Sequence, residues 1–202
     1  MIETKIKLSA HELMMVQDAG LILTKNAIMQ KVISIFSSLA ENMQLELLKA
    51  KLPQEIKVTE PKISKGENYK GLPYVILDYP KLFGKENIFA IRILFWWGKY
   101  FTTTLHLKGA YKEMFSDAIR KNLALLKQKH FFISISNDEW KHEHDEENYA
   151  SLSRITEKEF DNIVQKKPFL KISVKTALSE WDNCPIILME LFRDVLKSVS
   201  QF

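Results

Sequence analysis

The segment 137–149, NDEWKHEHDEENY, concentrates the side chains best suited to chemistry. His142 and His144 lie two residues apart and are followed by Asp145, Glu146 and Glu147. Imidazole and carboxylate are good ligands for zinc, manganese or iron. In an extended chain, residues at this spacing point the same way, so one ion could take both histidines with Asp145. A catalytic metal site needs a further ligand, for which His130 and His106 are the candidates. The same composition also describes a solvated acidic loop, which is the commoner outcome for a charge-dense polar segment.

Arg92 is the second candidate. It interrupts the apolar run 88–97, where an unpaired charge would cost several kcal/mol in lost solvation. It therefore needs a partner or a wet pocket. Asp78, on the preceding strand, is a candidate partner. The functional reading is an anion clamp for a carboxylate or phosphate, with Thr103 beside it on the same face. His106, with Thr102 and Thr104, makes a polar strip that this reading places on the opposite face.

A third group is aromatic. Trp96, Trp97, Tyr100 and Phe101 surround one hairpin tip, either covered by neighbouring helices or exposed as a docking surface for a partner or a second copy of the chain. Base stacking between Lys99 and Lys108 is disfavoured, because the recognised RNA-binding signatures are missing. Cys184 before Pro185 is a lone thiol at a helix start, and reads as a small core residue. The sequence carries no phosphate-binding glycine loop, nucleophile elbow or HExxH motif, and it implies no particular cofactor.

These residues must be held by elements that the pattern places in order. Ser9 and Glu12 form a capping box before a short helix. A longer helix follows from 20–24 to about Lys51, its stripe formed by Ile28, Val32, Ile35, Phe36, Leu39, Met43 and Leu47, and Pro53 stops it. Residues 56–64 read as an edge strand because of Pro61. Residues 65–71 read as a polar loop, 72–79 as a strand and 80–86 as a turn. The runs 88–97 and 100–107 read as a hairpin with a two-residue Gly98-Lys99 loop, which sets Trp97 against Tyr100 and Ile91 against His106. A helix over 111–128, a strand over 131–136 and the acidic loop come next. A second capping box at Thr156 and Glu159 starts a short helix. In the strand 170–174, Leu170, Ile172 and Val174 face the core, while Lys171, Ser173 and Lys175 face water. A last helix begins near Pro185.

About six mostly antiparallel strands with a long N-terminal helix and further helices give an α+β fold. The 202 residues suffice for one core, so a single domain is expected. Its parts are a helical segment 1–52, a sheet core 53–136, an acidic loop 137–155 and a helix–strand–helix unit 156–202. The one cysteine leaves no internal disulfide and no Cys-based zinc cluster. No run is long enough to span a membrane and no signal peptide is evident, so cytoplasm is the plain reading. Net charge is +4, unevenly spread: residues 53–136 carry 14 basic and seven acidic side chains, whereas residues 137–161 carry three and nine. The basic excess is nearly all lysine, which argues against nucleic-acid reading.

These features favour a non-catalytic binding or interaction domain. It would act through a pocket near Arg92, for a small molecule, or through the aromatic tip, for a protein partner or homodimer. The alternative is a metal-dependent hydrolase built on His142, His144 and Asp145.

Overall fold

The computed structural model describes residues 6–200. The chain folds as α+β, with helices on one face of a seven-stranded antiparallel sheet. α1 (Ala10–Gln17) carries the expected capping box at Ser9 and Glu12, yet none of its residues is buried. α2 (Ala19–Lys49) is the long helix. Its buried stripe, which includes Val32, Phe36, Leu39, Met43 and Leu47, begins only at Met29. Apolar side chains before that point, such as Leu13, Met14, Val16 and Leu23, are exposed. Among the described residues, no helix is long and apolar enough to cross a membrane.

After the single turn α3 (Gln54–Lys57) come β1 (Lys62–Tyr69), β2 (Leu72–Phe83), β3 (Ile88–Trp96) and β4 (Tyr100–Lys108). The strand expected over 56–64 lies later: Ile56 and Lys57 belong to α3, and β1 starts just after Pro61, which therefore takes no part in the ladder, although β1 does form one edge of the sheet. It also runs through residues whose composition suggested a loop. Lys70 and Gly71, both at positive φ, turn the chain directly into β2, as a tight hairpin requires. β2 continues past Pro80, and its register with β3 slips between Asp78 and Lys81. One extra residue on β2 brings both side chains to the same face, although three-residue spacing would normally oppose them.

The β3–β4 turn corrects the expected register. Lys99 N–H donates to the Trp96 carbonyl, and Gly98 takes φ 67° at the third turn position, which favours glycine. The loop thus holds three residues, and Trp96, not Trp97, faces Tyr100. A one-residue change moves every β4 side chain to the other face. Arg92 pairs with Thr104, and His106 joins it on that face, while Thr103 turns toward the helices beside Ile93.

α4 (Ala110–Lys121) and α5 (Leu123–Gln128) replace the single helix expected over 111–128, with the break at Asn122. β5 (Phe132–Ser134) pairs with both β6 (Tyr149–Ser151) and β7 (Phe169–Ala177). β6 is the seventh strand, within the expected loop. α6 (Glu157–Lys166) has the anticipated capping box at Thr156 and Glu159. α7 (Cys184–Val199) packs with α2 and α4. One continuous apolar cluster joins Phe36, Ile91, Phe101, Ile172 and Phe192 beneath the helices. The opposite face of the sheet is covered in part by the acidic segment.

Candidate functional site

The sheet register sets Lys62, Asp78, Arg92, Thr104 and Ser173 side by side across β1, β2, β3, β4 and β7. Alternation adds Lys81, His106 and Lys171 to the same face. A polar floor therefore runs through the middle of a sheet whose other face is apolar core. The segment 136–148 closes over it.

Arg92 is gripped by Asp78 in a fork, with Nε donating to Oδ1 at 2.7 Å and Nη2 to Oδ2 at 2.9 Å. This is the pairing expected for a charge inside an apolar strand. Nη1 lies 3.0 Å from Nε2 of His142, which enters from the segment above. Three of the five guanidinium N–H groups are thus engaged. Lys171 stands upright from β7 and is 1% exposed, so the expected wet face of that strand is covered at this point. Its Nζ donates to the backbone oxygens of Glu139 at 2.9 Å and Lys141 at 2.5 Å, and lies 3.4 Å from Nδ1 of His142.

The rest of the segment is fastened at both ends. The Glu139 carboxylate reaches His106 Nε2 at 3.1 Å and accepts from Lys108 at 2.9 Å. His142 N–H donates to the Tyr69 hydroxyl at 2.8 Å, and that hydroxyl donates to Glu143. His144 N–H donates to the Tyr100 hydroxyl at 3.0 Å. Its ring stacks on Tyr149, and Nε2 lies 2.9 Å from Ser173 Oγ, which in turn meets Thr104 Oγ1 at 2.7 Å.

Burial dominates the protonation states. It lowers His106 to about 4, with Lys171 adding repulsion, and lowers His144 to about 3, with Lys175 adding to the effect. His142 is pushed well below the usual imidazole range by burial and by its neighbours Lys171 and Arg92. All three rings are therefore neutral at pH 7. Lys171 falls to about 7, from burial first and Arg92 second. Burial works to raise Glu143, but the Tyr69 hydroxyl, backbone N–H groups and Lys70 outweigh it and hold the carboxyl near 2.

His142, His144 and Asp145 do not converge. Both His142 nitrogens are already taken, Nε2 by the Arg92 guanidinium and Nδ1 by Lys171 Nζ, so neither is directed at a metal ion. His144 points to Ser173, and Asp145 accepts from the Asn148 backbone. His106 is engaged with Glu139, and His130 is exposed after α5. Among the described residues, no three His, Cys, Asp or Glu side chains are grouped to hold a metal. Cys184 is buried, which raises its thiol to about 11.

The aromatic tip also divides. Phe101 packs under the helices against Phe36, Phe95 and Trp181, and Trp97 contacts Phe95 on that side. Trp96 and Tyr100 lie on the polar face, where Trp96 donates to the Tyr69 carbonyl. Thr103 is fully buried in the core, and its hydroxyl has no hydrogen-bond partner.

Beside Arg92 the floor opens to solvent in a cleft of about 480 Å³. Lys62, Lys81 and Arg92 line it together with Phe83 and Trp140, and Asp78 is its single carboxylate. Trp140 comes from the acidic segment and packs on Phe83 and His106. Sequence reasoning had identified Arg92 and its partner Asp78, but not Lys62, Lys81, Trp140, Lys171 or Tyr69. One signal was available: the Lys171, Ser173 and Lys175 strip complements the acidic segment in charge. No protein-family model, curated protein or solved structure matches this chain.

Proposed function

We propose that this protein binds a small anionic ligand, a carboxylate or phosphate ester with a planar apolar part, in the cleft beside Arg92. The observation that carries the reading is the convergence of three cations on an open cleft with one carboxylate, which Arg92 already engages. Asp78 fixes the guanidinium plane, and two N–H groups remain for an incoming oxygen pair. Lys62 and Lys81 supply charge from the neighbouring strands, while Phe83 and Trp140 offer an apolar wall. Fixed donors lower the ordering cost of binding. The role assigned is recognition, not catalysis.

Titration of tryptophan fluorescence with phenyl phosphate at low ionic strength tests this. Saturable binding that weakens at least tenfold in Lys62→Ala/Lys81→Ala, and falls with added salt, is the expected result. No saturation at millimolar ligand, or equal affinity in the double variant, would overturn it.

A further inference from the structure

We infer that Lys171 is held as a neutral amine beneath the segment 136–148, where its lone pair selects the His142 tautomer that positions Arg92. Proton positions along three side chains fix the assignment. Arg92 remains protonated and can only donate, so His142 Nε2 must accept at 3.0 Å. A neutral imidazole has one donor and one acceptor, so Nδ1 carries the hydrogen. Nδ1 points at Lys171 Nζ. An ammonium has three donors and no lone pair, and would place donor against donor there. A neutral amine has two donors and one lone pair. The two donors match the Glu139 and Lys141 carbonyls, and the lone pair matches Nδ1–H.

The surroundings agree with this assignment. Lys171 faces Arg92 on β3, His106 on β4, Tyr149 on β6, and Asp138, Glu139, His142, Glu143 and His144 on the covering segment. The carboxylates that face it have other partners: Asp138 accepts from the Trp140 N–H, Glu139 is engaged by His106 and Lys108, and Glu143 by Tyr69 and Lys70. Both Lys171 carbonyl contacts are with uncharged oxygens. The Tyr149 ring, 5.8 Å away, lies near the outer limit for stabilising a cation. Burial and Arg92 lower Lys171 to about 7.

Protonation would reverse the relay. Nδ1 would then accept from the ammonium, the ring hydrogen would move to Nε2, and that hydrogen would oppose an Arg92 N–H. Acid therefore loosens His142 and with it the segment that supplies Trp140. The sign follows from linkage. Above about pH 7 the closed form is deprotonated, whereas Lys171 under an opened segment holds its proton up to the ordinary lysine value near 10.5. Raising the pH across that window favours closure, about tenfold per unit. Below it, Lys171 is protonated in both forms and adds no further pH dependence. An effect on ligand affinity rests in addition on the cleft reading above; the proton count does not.

Side-chain nitrogen NMR of labelled lysine and histidine tests the inference without a ligand. At pH 8.5, His142 should show hydrogen on Nδ1 and an accepting Nε2. One lysine, absent from the spectrum of Lys171→Met, should titrate about three units below the others. Hydrogen-exchange protection of residues 138–145, corrected for intrinsic rates, should rise about tenfold per pH unit above 7 in the wild type. It should be insensitive to pH over that window in Lys171→Met. Hydrogen on Nε2 of His142, a Lys171 that titrates near 10.5, or protection that does not vary with pH in the wild type would overturn it. The wild-type readouts stand even if Lys171→Met does not fold.

Discussion

Replacing Arg92 with methionine would test the polar floor most directly. The change keeps a long side chain but removes the fork that holds Asp78. Asp78 is 5% exposed, so its carboxylate would be left buried without the bidentate partner. Breaking such a pair from one side costs about 3–5 kcal/mol. Lys62 lies opposite Asp78 on β1, and a shift of its ammonium would offset part of the charge. The expected loss is therefore near the lower limit, about 3 kcal/mol. Arg92→Met/Asp78→Leu behaves differently, because the intact pair itself carries a desolvation cost that apolar replacements avoid. The double variant should lie within about 2 kcal/mol of wild type, so the coupling between the two sites is at least about 1 kcal/mol. Urea unfolding of Arg92→Met, Asp78→Leu and the double variant, followed by circular dichroism with an unchanged denaturant slope, measures all three losses and hence the coupling. A loss below about 1 kcal/mol for Arg92→Met, or a double variant that loses the sum of the singles, would refute the view of Arg92 as a desolvated, Asp78-dependent charge.

Two further outcomes follow from buried polar groups. Thr103→Val removes a hydroxyl that has no partner in the core and keeps the β-branched shape, so stability should stay level or rise by about 1 kcal/mol, read as a higher urea midpoint; a loss above that would show an unrecognised bond. Acid should destabilise the fold from pH 6.5 downward, because unfolded histidines take up protons near 6.5 while His106 waits until about 4 and His144 until about 3. Each ring contributes up to about 1.4 kcal/mol per pH unit within its window, and a urea midpoint that stays constant between pH 6.5 and 4.5 would exclude buried neutral rings.

Much of the architecture was legible because it rests on local patterns. The stripe from Val32 to Leu47, the capping boxes at Ser9 and Thr156, and the apolar strand that starts at Ile88 each announce themselves within a few residues. The site was less legible, because two single-residue events decide it. The placement of Gly98 makes the hairpin loop three residues long, which carries His106 and Thr104 to Arg92's side and Thr103 away from it. The bulge between Asp78 and Lys81 puts Lys81 where strict alternation would not. Lys171 looked solvent-facing because its strand alternates cleanly; what covers it lies about 30 residues earlier in the chain. Such pairing across the chain leaves no periodic trace at Lys171 itself.

The grip of Lys171 on the covering segment has a consequence for how that segment can vary. Nζ bonds main-chain oxygens, and every amino acid carries one. The clasp therefore recognises the path of the backbone and is indifferent to spelling at position 141. An exchange of Lys141 for another residue leaves the contact in place, whereas deleting one residue between 139 and 141 removes an oxygen from reach. At position 141 the segment is therefore tolerant of substitution but intolerant of a change in length.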